Sequence, residues 1–174
     1  MHADRRTFLA LQLALGPGVL ASYALCFALW PETVAAMWGG VPPAVRSVYT
    51  SWMFVAASGY CVFTPALFLH ADPDRARLAF GLGYRALHAM YAALLVGSML
   101  WMPLTKWHMD GGLPFALVVL DLWVVAAASL ALLATTARLT PPLPGAWRVA
   151  APLGAAAFCV QTVLLDALVW TALW

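Results

Sequence analysis

Five stretches of this 174-residue chain are each long and apolar enough to cross a bilayer, and that leaves few folds open. A helix rising 1.5 Å per residue needs about 20 apolar residues to traverse a hydrocarbon core of ~30 Å. The windows 8–30, 46–69, 78–104, 113–136 and 149–172 meet that length and use nearly the whole sequence. With 64% hydrophobic and only 9% charged residues, the composition lies outside the range of soluble domains. Segments of about ten residues with alternating polarity, the mark of an outer-membrane barrel, are absent. A helical bundle is then the way to satisfy every backbone N–H and C=O in lipid. The expectation is an all-α membrane protein, one transmembrane domain of five helices over residues 1–174.

The connections are short and rich in turn formers: "PETVAAMWGGVPPAV", "HADPDRAR", "KWHMDGG" and "RLTPPLPGAW". Short loops force neighbouring helices to run antiparallel. Arg5, Arg6, Arg75, Arg77, Arg138 and Arg148 then gather on one side, with Arg46 and Lys106 on the other. By the positive-inside rule the amino terminus is expected inside and the carboxyl terminus outside. "RRTFLA" has the look of a twin-arginine export signal, but basic residues before a first span are expected anyway. Cys26, Cys61 and Cys159 all fall within the windows and are odd in number, which suggests neither a disulfide framework nor a zinc site. Eight tryptophans, Trp30, Trp38, Trp52, Trp101, Trp107, Trp147, Trp170 and Trp174, fall near window ends, where indole prefers to sit.

Polar residues inside the windows are the candidates for function. A carboxylate at a helix centre costs about 3 kcal/mol on the insertion scale, and such groups usually face a cavity, a pathway or a partner. Counted from the window ends, Asp121 and Asp166 share one level in the outer part of the membrane, on consecutive antiparallel helices. Two carboxylates so placed would not both stay ionised, so a shared proton or a water-filled cavity is expected. Tyr84, His88, Tyr91 and Ser98 recur at helical spacing and form a stripe on one face of the third window, with Arg85 beside it. Arg85 can snorkel toward the inner surface or reach a carboxylate. His88 is expected near the midplane, level with Gln161, while Gln12 falls in the inner half of the first window. His70 and His88 come out ~15 Å apart in height, which disfavours a haem held between two histidines. Phosphate loops, nucleophile elbows and zinc-protease motifs are missing, as is a basic, aromatic face for nucleic acid.

Several of these residues together resemble the translocator protein family, also called tryptophan-rich sensory proteins. The stretch "WPETVAAMWGGVPPAVRSVYTSWMFVAASGY" is similar to that family's first loop and second helix, through Trp30, Trp38, Pro42, Pro43, Tyr49 and Trp52. "SMLWMPL" resembles its Asn-x-x-Trp-x-Pro-Leu, with Ser98, Trp101, Pro103 and Leu104 in place. "LDALVW" resembles its Leu-Asn-x-x-x-Trp, with Asp166 where asparagine is usual and Trp170 in register. The usual Trp-Thr pairing in the second helix and a cholesterol-recognition pattern near the carboxyl end are not reproduced. The resemblance implies a cavity among the five helices, covered by the first loop, that binds tetrapyrroles or sterol-like lipids. Trp30, Trp38, Trp52, Tyr91, Trp101 and Trp170 would wall such a ligand, and Asp121 and Asp166 would meet a polar edge or cationic group.

The leading expectation is therefore an integral membrane protein that binds, and passes or senses, a hydrophobic small molecule. No resident cofactor or metal is implied beyond a tetrapyrrole as ligand. Membrane lipid, a homodimer partner or a larger membrane complex are the expected associations. One rival is an intramembrane isomerase acting on a sterol-like lipid, with His88, Tyr84 or Tyr91 and an aspartate exchanging protons. A second is an accessory subunit whose polar stripe meets another chain, and a third is a proton or ion pathway through Arg85, His88, Asp121 and Asp166.

Overall fold

The computed structural model describes residues 1–174. It contains six helices and no strands: α1 (Ala3–Leu29), the short α2 (Pro31–Ala36), α3 (Pro43–His70), α4 (Arg85–Met109), α5 (Phe115–Arg138) and α6 (Trp147–Leu173). All but α2 are long and apolar enough to cross a membrane. Four of the five expected windows differ from the helices by a few residues at each end. The third does not, since α4 begins at Arg85 and runs on to Met109. Residues 78–84 instead form a turn, with a short 3₁₀ segment at Ala79–Gly81 and Phe80 in the left-handed region at φ 60°. Gly81 follows at φ 73°, and this run of reversed backbone stops a helix despite its apolar side chains.

Helix neighbours follow the ring α1–α4–α5–α6–α3. Its tightest seam is between α3 and α6. Gly59 and Gly154 face each other there, and a Cβ on either would strike the other's backbone. Small residues permit such approach, and dispersion between the two backbones then holds the pair where lipid offers no hydrophobic drive. Gly16 and Gly18 of the "GPG" stretch do less: nothing lies within 4 Å of a Cβ built at Gly16, and Gly18 meets only the Met99 side chain.

The ring is almost open between α1 and α3. At the basic end the two helices touch: the Arg5 guanidinium donates to the Leu69 and Ala71 carbonyls, and Phe8 stacks on Phe68 at 5.9 Å. Tyr60 of α3 donates to Gln12 of α1 a little further along. Beyond that pair they diverge, and α1 buries only Phe8 and Cys26 along its whole length. A core of Phe8, Phe63, Leu67, Leu87, Tyr91 and Leu132 with their neighbours fills the basic end. At the opposite end α2 folds across the bundle and rests on the end of α6: Gly40 N–H donates to the Leu173 carbonyl at 2.9 Å, and the Trp170 indole to the Met37 carbonyl at 2.9 Å.

Replacing Gly59 by leucine should force α3 from α6 and cost about 1–3 kcal/mol, as overpacking does. Thermal unfolding in detergent measures it, and Ser58→Leu, at an exposed neighbouring position, should leave the midpoint unchanged.

Candidate functional site

The divergence of α1 and α3 leaves two joined chambers. One, the outer chamber of about 330 Å³, lies beneath α2 and is walled by Val34, Met37, Trp38, Tyr49, Met102 and Trp170. The other, about 370 Å³, reaches further along the bundle, between Val19 and Leu20 of α1, Ala56 and Ala57 of α3, and Leu122, Val125, Phe158 and Gln161 behind. Tyr23, Met53, Trp101 and Asp166 line both and mark the passage between them. Each chamber falls in the size range of small-molecule sites, ~300–1,000 Å³, and is mostly apolar, as such sites are. Its rim on the α1–α3 side carries Leu20, Phe27 and Phe54, which are 72%, 57% and 72% exposed.

Local helix geometry explains why Asp166 points inward. From Val160 to Trp170, α6 is a π-helix, with backbone bonds running i→i+5. Residues five apart then stack, whereas in an α-helix they would sit well apart around the axis. Gln161 and Asp166 are five apart, and the Gln161 amide donates to Asp166 Oδ1 at 2.7 Å. Tyr49 Oη donates to the Leu165 carbonyl at 3.0 Å and the Trp52 indole to the Ala157 carbonyl at 3.1 Å. These bonds from α3 supply outside donors to carbonyls within and just before the widened stretch. Thr162 returns its hydroxyl to the Phe158 carbonyl at 3.2 Å.

Other expected site residues fall in three places. Trp38, Trp101, Asp166 and Trp170 line the outer chamber, and Ser98 and Gln161 the inner one. Trp30 and Trp52 are half-buried beside the cavity but line neither chamber: Trp30 packs near Met37 and takes the Lys106 ammonium over its ring at 5.8 Å, and Trp52 is tied to α6. Tyr91 is fully buried in the basic-end core, where its hydroxyl donates to Thr64 Oγ1 at 3.0 Å, so it does not wall the cavity.

Asp121 also departs from expectation. Its carboxylate packs against Gly97 of α4, and its Oδ2 is buried without a hydrogen-bond partner. Leu122 and Val125 face the inner chamber while Asp121 does not, and no hydrogen bond joins it to Asp166. The absent Cβ at Gly97 is what admits the carboxylate to that seam.

The stripe on α4 divides as well, because the helix starts at Arg85. His88 lies in the first turn, not at the midplane, and its Nε2 pairs with the Asp4 carbonyl at 2.9 Å. Arg85 is 86% exposed and does reach a carboxylate, that of Asp4, at 3.4 Å. Tyr84 packs edge-on to His88 at 5.9 Å. His88 stands nine residues before Gly97, about 13 Å along the helix from the Asp121 level. A proton relay or isomerase needing His88 beside an aspartate of the cavity has no such geometry. The height offset expected between His70 and His88 is likewise removed: both sit at the basic end, His70 against Trp147 at 5.9 Å. No group of three His, Cys, Asp or Glu side chains is placed to hold a metal ion.

Sequence reasoning missed Tyr23, Met37 and Met53 as wall residues. Tyr23 carried a usable signal, being the one tyrosine of the first helix. The methionines carried none. Comparison with family models, with curated proteins and with solved structures finds no match to this chain.

The seat of α2 can be probed through Trp170, which is 4% exposed. Trp170→Phe keeps the ring but removes the donor to Met37, a bond worth about 1 kcal/mol. Hydrogen exchange across residues 31–41 should quicken roughly fivefold, with α5 amides unaffected.

Proposed function

We propose that this chain binds a hydrophobic small molecule taken sideways from the bilayer into the chambers between α1 and α3. The observation that carries the reading is the open seam itself: a cavity with aromatic and methionine walls, rimmed by exposed Leu20, Phe27 and Phe54 at membrane depth. An apolar solute in lipid meets no polar barrier at such a rim. It gains contact with close-packed walls inside, where dispersion replaces the hydrophobic effect as the source of affinity. Tetrapyrroles and sterol-like lipids are the ligand classes implied by the likeness to translocator proteins. Three residues that carry that likeness, Trp38, Trp101 and Trp170, stand in the outer wall and support it. Catalysis has no comparable support, since His88 is engaged with the Asp4 carbonyl at the basic end and His108 with the Leu113 carbonyl.

A fluorescent sterol such as dehydroergosterol tests the proposal in nanodiscs, because it accepts excitation from tryptophan. Saturable energy transfer above that of discs bearing an unrelated helical bundle is expected. Ala57→Trp, placed at the rim of the inner chamber, should weaken binding about tenfold, whereas Ala127→Trp on the exposed side of α5 should not. Transfer that rises linearly with sterol content, equally in all variants, would overturn the reading.

A further inference from the structure

The polar pole of the cavity carries its own information about the ligand, given the binding role proposed above, on which this inference rests. The inner wall presents the Asp166 carboxylate and the Gln161 amide beside the Ser98 and Thr162 hydroxyls, and no cation. Asp166 Oδ1 is taken by the Gln161 amide, which leaves the second carboxylate oxygen without a hydrogen-bond partner. Gln161 is 5% exposed and lines the inner chamber, yet its own Oε1 is buried with no partner. Because its amide nitrogen is committed to Asp166, the glutamine cannot turn over to offer a donor without breaking that bond. Unmet acceptors in so dry a place are costly, and each is relieved by a donor brought from outside.

Lysine and arginine are missing from both linings. The two cations nearest the outer rim are occupied: Arg46 donates to the Val41 carbonyl and lies over Trp38, and Lys106 pairs with Asp110 at 2.5 Å. The donors left in the shared wall, the orphan Trp101 indole N–H and the Tyr23 hydroxyl, are neutral and can meet a ligand oxygen without supplying a counter-charge. An acidic ligand would therefore bring its charge against Asp166 with nothing to offset it. We infer that the cavity selects a hydrophobic amine, whose ammonium group donates to Asp166 and Gln161 while its apolar body fills the chambers.

Three steroids sharing one skeleton and bearing at position 3 an amine, a hydrogen or a hemisuccinate separate the possibilities. Their binding is read as displacement of the fluorescent sterol from protein in nanodiscs, corrected for partition into empty discs. The amine should bind about tenfold or more tighter than the unsubstituted steroid, with the hemisuccinate weakest. Asp166→Asn should erase the advantage of the amine over the unsubstituted steroid. Gln161→Met, which removes the orphan oxygen and keeps the length, should reduce that advantage severalfold and serves if the asparagine variant fails to fold. Equal affinity of amine and unsubstituted steroid, or preference for the hemisuccinate, would overturn this inference while leaving the cavity reading intact. If none of the three displaces the probe, the cavity reading falls and this inference with it.

Discussion

Everything distinctive in this bundle depends on α3 being held on one side only. On the α6 side the Gly59–Gly154 approach removes side chains from the seam and lets two backbones meet, with Trp52 and Tyr49 adding hydrogen bonds to α6 carbonyls. On the α1 side there is contact only near the basic end, through Arg5, Phe8 and the Tyr60–Gln12 pair. In water such an opening would collapse to hide its apolar walls, because exposure costs about 25 cal/mol per Å². In lipid that penalty is absent, since hydrocarbon tails are as apolar as the walls. The wedge is thus a shape that the membrane permits and an aqueous solvent would not.

Much of this architecture was legible in the sequence because the bilayer imposes a length rule. Apolar windows of about 20 residues located all five membrane-length helices. The rule counts apolar residues and is blind to backbone conformation, which is why it extended the third helix back through "AFGLGY". Gly81 and Gly83 were a weak correcting signal, since each glycine costs a helix about 1 kcal/mol relative to alanine, yet the same spacing at Gly16 and Gly18 stays helical within α1. That shift displaced His88 and Tyr91 from the cavity level and removed the geometry on which an enzymatic reading stood.

The candidate site was legible in part, and the division has a physical cause. Trp38, Trp101, Trp170 and Asp166 were found because an indole row and an intramembrane carboxylate are conspicuous by cost or size. Asp121 was equally conspicuous but faces a neighbouring helix, where Gly97 leaves room for it. Depth can be counted along a sequence, but azimuth cannot when a helix is apolar on every side. The same lack of contrast hid the π segment of α6. A change of pitch shows itself only as a slip in polar periodicity, and "VQTVLLDALVW" has only Gln161, Thr162 and Asp166 from which to read one.

That altered pitch reaches beyond the placement of one side chain. Between Val160 and Trp170 the helix axis carries fewer turns than an ordinary helix of the same residue count. Were the stretch to tighten to the common pitch, everything after it would rotate like the tip of a screw, parting Asp166 from Gln161 and carrying Trp170 out from under Met37. The acidic pole and the fastening of the cap would let go in one movement, so the state of the cavity and the winding of its last helix are mechanically a single coordinate.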